Sequence, residues 1–195
     1  AMHAHWWEHS GLAELKWLPR LNDTRRRTNL TTVTRLGWNS LTEILDEGGL
    51  SYPEVSGDSL ANEIDDMLCD LSTSESTLIH SDLRADNLLF NTAGDGVMLV
   101  DWQGCSFGPS SFDITYHMIQ SLSVDDRRKH ESELLDYYVN SLEFFGHQIT
   151  IDEVHKLYRS SILYSLSIAC AVPLINDVEG PRVKELAFSM ASRTL

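Results

Sequence analysis

HSDLRADNLLF, His80–Phe90, and the LVDWQ that follows at Leu99–Gln103 are the stretches whose reading decides the fold. Between them lies NTAGDG, Asn91–Gly96, with the residues that tight turns demand. The apolar runs on either side, NLLF and VMLV, therefore read as the two strands of a β-hairpin. Asn87 opens the first strand and Asp101 closes the second. In an antiparallel hairpin the start of one strand lies beside the end of the other, so the two side chains meet at one end. Asp82, in the loop after the short run LIH, is brought near them. Two hard oxygen ligands at one point suit Mg²⁺, which completes its shell with waters and substrate phosphates. A third carboxylate beside them is placed to orient a hydroxyl and accept its proton.

The longer string LIHSDLRADNLLF…VMLVDWQGCSFGPSSFDITYHM carries a family resemblance. HSDLRADN and DWQ resemble the H-R-D-x-x-x-x-N loop and D-F-G segment of protein kinases, without the later A-P-E. The whole is most similar to the aminoglycoside phosphotransferase and choline-kinase-like superfamily. DWQ with GPSSFDITY resembles its ecdysteroid-kinase-like and related branches. The resemblance implies a C-terminal lobe of a protein-kinase-like fold, α+β but mainly α, with helices around a small catalytic hairpin. It implies ATP and Mg²⁺ as cofactors and transfer of the γ-phosphate to a substrate hydroxyl.

Roles follow position by position from that resemblance. Asp82 corresponds to the catalytic base, and Asn87 and Asp101 to the Mg²⁺ ligands. His80 corresponds to a histidine that scaffolds the loop. Arg84 stands where protein kinases carry a lysine near the transferred phosphate; a surface salt bridge is the competing reading. Leu89 and Val100 occupy the apolar bed under adenine. Asp113 matches an aspartate that braces the catalytic loop from the following helix. Two departures stand out: Ser81 replaces the glycine of the family's H-G-D, and Trp102 and Gln103 replace F-G. A serine is strained there if the backbone needs φ > 0.

Around this insert the pattern is helical. Ala1 to about Leu18 reads as one helix ended by Pro19, and Leu21–Leu30 as a polar loop. Helices are expected near Val33–Glu47, stopping at Gly48-Gly49, and near Asp58–Leu71. After Pro109 they are expected over Ser110–Leu122, Asp125–Phe145, Thr150–Leu174 and Gly180–Ser192. ILYSLSIACAVPLI, at Ile162–Ile175, is short for a bilayer span, contains Pro173 and reads as a buried helix. Trp6, Trp7 and Trp17 read as packing residues.

The chain of 195 residues is 42% hydrophobic, enough for a real core. Its formal net charge of -14 argues against a nucleic-acid partner, which would call for a basic face. Cys69, Cys105 and Cys170 are sparse and form no CxxC, which speaks against disulfides or a zinc site and for a reducing, cytoplasmic setting. The opening has no basic segment leading into an apolar run, so no signal peptide is expected and no membrane partner is called.

Neither a glycine-rich phosphate loop nor a strand lysine occurs upstream. The opening MHAHWWEH resembles the helix that begins the C-terminal lobe in these families. The expectation is one lobe over 1–195, whose partner is the N-terminal lobe of the same protein. That lobe is either encoded upstream or absent from an isolated lobe. Two functions stand side by side: the catalytic lobe of an ATP-dependent small-molecule kinase, or a non-catalytic lobe acting in metal or partner binding. The acceptor is open. Asp125, Asp126, Glu131 and Glu133 read either as a face for an amine-bearing substrate or as a solvated helix surface.

Overall fold

The computed structural model describes residues 1–176 and 180–195, and within it the chain divides into two compact units. The first comprises Ala1–Leu21 and Leu71–Ser161, the second Asn22–Asp70 and Ile162–Leu195. The architecture is mainly helical with two small antiparallel sheets, the α+β class expected.

In the first unit the amino-terminal segment is not one helix. It forms α1 (Met2–His5) and α2 (Ser10–Glu14). Tertiary bonds override helix propensity between them. Glu8 adopts φ 47°, and its N–H donates to the Ser76 carbonyl at 2.8 Å. The His9 side chain accepts from Gly11 N at 3.1 Å and caps α2. Trp17, expected to pack, is 68% exposed.

Strand β1 (Thr77–Ile79) leads into the loop that carries Asp82. β2 (Leu88–Phe90) and β3 (Val97–Leu99) form the hairpin, in the register Leu88↔Leu99, Leu89↔Met98, Phe90↔Val97. The turn is built by Asn91, whose Oδ1 accepts from the backbone N–H groups of Asp95 and Gly96 at 3.2 and 3.3 Å. The sequence reading contained no counterpart of β4 (Ser106–Gly108), which pairs antiparallel with β1. The chain at Pro19–Leu21 lies along the other edge of β4: Phe107 N–H donates to Pro19 O at 2.9 Å and Leu21 N–H to Phe107 O at 3.0 Å. Three residues are too few to show strand periodicity. Helices α5 (Ser111–Ser121) and α6 (Val124–Phe144) follow, with Ser123 capping α6 through Asp126 N at 3.0 Å. α5 is buried on several sides through Phe112, Tyr116, Met118 and Ile119.

In the second unit α3 (Thr24–Gly48) begins well before the expected helix, so the loop read at Leu21–Leu30 is largely helical. Asp23 caps it by accepting from Arg25 N at 2.9 Å. Its polar first turns are tied to α4 (Gly57–Leu71) by a two-pronged ion pair, Arg27 Nε and Nη2 to the Asp65 carboxylate at 2.7 and 2.5 Å. Gly49, at φ 70°, closes α3 with its N–H on the carbonyls of Leu45 and Asp46.

α7 (Ile151–Ile175) contributes its residues to Ser161 to the first unit and the remainder to the second. Its 25 residues are enough, by length and composition alone, to cross a membrane, but half of the apolar window is buried within the protein. Ser161, Ser165 and Ser167 are buried with it, as suits a core helix. α7 meets α3 at Gly37, where a Cβ would lie 2.0 Å from the Cys170 carbonyl oxygen. The second unit ends in α8 (Pro181–Thr194), which opens on proline at its first position.

Candidate active site

The loop after β1 is shaped by one buried carboxylate. Asp113 lies in the first turn of α5 and is wholly buried. Its Oδ2 accepts from the His80 backbone N–H at 2.7 Å, and its Oδ1 from the Ser81 N–H at 2.8 Å. The pair fixes a sharp reversal, and Ser81 sits at φ 66°. That is the left-handed conformation that glycine adopts without a steric cost. The Ser81 hydroxyl bonds that of Ser106 on β4 at 2.7 Å, a buried contact glycine lacks.

Asp113 has further support outside the sequence-predicted set. His3 Nε2 lies 3.2 Å from Asp113 Oδ2, and His3 Nδ1 lies 2.9 Å from the Tyr138 hydroxyl. The geometry assigns Nε2–H as donor to the carboxylate and Nδ1 as acceptor from the phenol. Burial pushes the Tyr138 phenol well above its ordinary range, so it remains a donor. The sequence signal for His3 was the MHAHWWEH opening, but its partner lies far along the chain.

His80 is wholly buried. Its Nε2 donates to the Val100 carbonyl at 2.9 Å, tying the loop to the end of β3, and Trp102 covers the ring with centroids 4.7 Å apart. Its Nδ1 is buried without a hydrogen-bond partner among the described residues. The ring thus joins two backbone segments.

Beyond Asp82 the chain makes a 3₁₀ turn over Ala85–Asn87 and enters β2. Val100 N–H donates to Asn87 O at 3.0 Å, which extends the hairpin register by one step. Asn87 therefore faces Val100, next to Asp101. The Asn87 amide nitrogen donates to the Asp82 carbonyl at 2.8 Å and to Asp82 Oδ2 at 3.1 Å. With the nitrogen so committed, Oδ1 is the atom left for a metal. Asp101 is exposed and adopts φ 62° ahead of a second 3₁₀ turn at Trp102–Gly104. A non-glycine residue held in this region stores strain of about 1–3 kcal/mol, a cost found where a side chain must be aimed.

Among the described residues no group of three or more His, Cys, Asp or Glu side chains is placed to hold a metal. Asn87 and Asp101 instead offer one amide oxygen and one carboxylate. That donor set fits Mg²⁺, which takes few protein ligands and keeps water and phosphate oxygens.

Arg84 lies at the rim. Its Nε is 3.8 Å from Asp82 Oδ1 and its Nη1 is 3.6 Å from Asp86 Oδ2. These are long, partly solvated contacts of small energetic weight. Leu89 and Met98 pair across the hairpin, with Phe90 and Val97 on the opposite face. All four are more than half exposed, so the hairpin presents apolar surface next to the polar site. Val100 continues the side of Leu89 and Met98 by alternation.

Of the α6 acids, Glu131 is already engaged. It accepts from Arg127 Nη1 at 2.8 Å and from the Tyr158 hydroxyl at 2.6 Å. Asp126 bonds the Ser123 cap at 2.7 Å, and Glu133 pairs with His130 at 3.2 Å.

A model of the ecdysteroid kinase-like family matches residues 51–148, a span that runs from before α4 through the Asp82 loop, the hairpin, α5 and α6. An uncharacterized kinase-like protein of Caenorhabditis elegans is 33% identical over 86 residues, covering 43% of this chain and 23% of that protein. The match thus spans under a quarter of the relative. The family match contains Asp82, Asn87, Asp101 and Asp113 together with the elements that carry them, and by it this chain belongs to the ecdysteroid kinase-like family.

Proposed function

We propose that this chain carries the catalytic centre of an ATP-dependent small-molecule kinase. The observation that carries the reading is the Asn87 amide bonded to Asp82 and facing Val100, the neighbour of Asp101, on a loop fixed by Asp113. Asp82 orients the acceptor alcohol, and its carboxylate takes the hydroxyl proton as the oxygen attacks the γ-phosphorus and ADP departs. Asn87 and Asp101 hold Mg²⁺, whose chemistry there is to neutralise phosphate charge. Arg84 adds positive charge at the transferring group. Leu89 and Val100 lie under the nucleotide base, and the exposed apolar hairpin is the surface that nucleotide and a companion ATP-covering lobe bury. His80 and Asp113 hold the loop and touch no substrate. The acceptor is a hydroxylated small molecule. The α6 acids speak weakly for an amine, because Glu131 is neutralised internally.

The test is phosphate transfer from γ-labelled ATP to a panel of hydroxylated small molecules, with and without Mg²⁺. Transfer should require Mg²⁺ and fall by about 10²–10⁴-fold in Asp82→Asn. Turnover that survives Asp82→Asn and Asp101→Asn, or that needs no divalent cation, refutes the reading.

A further inference from the structure

Asp113, His117 and Ser121 recur at helical spacing on α5, so they form one stripe of that helix. Asp113 secures the loop at His80 and Ser81. The rest of the stripe reaches the segment beyond Asp82. Ser121 Oγ accepts from the Ala85 backbone N–H at 2.9 Å. Ser121 Oγ and His117 Nδ1 lie 3.3 Å apart. The Ser121 hydroxyl then donates to Nδ1 and accepts from Ala85, so each group has a defined part.

Ala85 N–H belongs to the peptide group that follows Arg84. That peptide plane is therefore held by Ser121, which His117 in turn orients. Arg84's own backbone groups are committed inside the loop: its N–H donates to Asp82 O at 3.0 Å and its carbonyl accepts from Asn87 N–H at 2.9 Å. All that remains mobile at Arg84 is its side chain, whose Nε stands 3.8 Å from Asp82 Oδ1. A side chain that serves a reaction needs its anchor fixed to a fraction of an ångström.

We infer that His117 and Ser121 are positioning residues, which clamp the peptide group that follows Arg84 and so hold its guanidinium beside Asp82. For catalysis this rests on the kinase reading above; the clamp itself stands on geometry. Burial holds the His117 imidazole below its ordinary range, which keeps it in the neutral form the arrangement needs.

The experiment combines hydrogen exchange with turnover. In Ser121→Ala and in His117→Phe, the Ala85 amide should exchange about tenfold faster, while amides of β1 and α5 away from the contact keep their protection. Ser121→Thr retains a hydroxyl and should restore protection. In MgATP turnover, Ser121→Ala should lower kcat more than it raises KM for ATP. Added to Arg84→Ala, it should have no further effect, because a residue acting through Arg84 cannot act without it. Unchanged Ala85 exchange in both variants overturns the clamp. Simply multiplicative losses with Arg84→Ala overturn the link to Arg84. Absence of turnover in a protein that carries the companion ATP-covering lobe would count against the kinase reading, and Ala85 exchange in this chain would still decide the clamp.

Discussion

Two substitutions at Ser81 separate the strain of its backbone from the value of its hydroxyl. The residue is buried, sits at φ 66° and bonds Ser106 Oγ at 2.7 Å. Alanine keeps the strained backbone and loses the hydrogen bond, so Ser81→Ala should destabilise by about 1 kcal/mol or slightly more. Glycine also loses the bond but relieves a left-handed conformation costing about 1–2 kcal/mol. Against that, it adds about 0.5–1 kcal/mol of unfolded-state entropy. The sum leaves Ser81→Gly near wild type and about 1 kcal/mol more stable than Ser81→Ala. Urea unfolding of the three proteins under one condition reads these differences directly. Ser106→Ala in the Ser81→Gly background should cost less than in wild type, because the shared bond is already gone. An alanine variant as stable as the glycine variant would show that the loop does not hold Ser81 at positive φ, and the reasoning would fail.

Three further outcomes follow from single contacts. Asp113→Asn points an amide N–H₂ at backbone donors in a dry site, so unfolding free energy should drop by about 3 kcal/mol or more. Gly37→Ala forces a Cβ against the Cys170 carbonyl where α3 crosses α7, and should destabilise by about 1–3 kcal/mol in thermal or urea unfolding. For His117, the folded-state pKa lies below the ordinary 6.5 because of burial, ahead of the opposing pull of the Leu83 carbonyl and Asp113 charge. The unfolded chain therefore binds more protons as pH falls below about 6.5, so stability contributed by neutral His117 is present above that pH and lost below it. Stability measured from pH 7.5 to 5 should fall less steeply in His117→Phe than in wild type.

The hairpin and the residues at its open end were legible because their signals are local. Asn91–Gly96 states the turn, and the turn sets the register that places Asn87 opposite Val100, next to Asp101. α4, α5, α6 and α7 were legible from their apolar spacing and flanking turn residues. The errors lie where distant partners decide. The turn at Glu8 exists because Ser76 bonds it. The first turns of α3 look like loop sequence until Asp65 is seen to neutralise Arg27. β4 is a strand only because β1 lies on one side and Pro19–Leu21 on the other. The strain at Ser81 was expected from the family resemblance, where serine stands for glycine, but the roles of His3 and Tyr138 behind Asp113 were not. Nothing in spacing joins positions so far apart in the chain.

The most direct test of the site is a Mn²⁺ titration with ATP, followed through the backbone signals of the chain by heteronuclear NMR. The account predicts that paramagnetic broadening is strongest at Asn87, Val100 and Asp101, extends to Asp82, and is lost in Asp101→Asn. Broadening centred on the acidic surface of α6, or unchanged in Asp101→Asn, would contradict it.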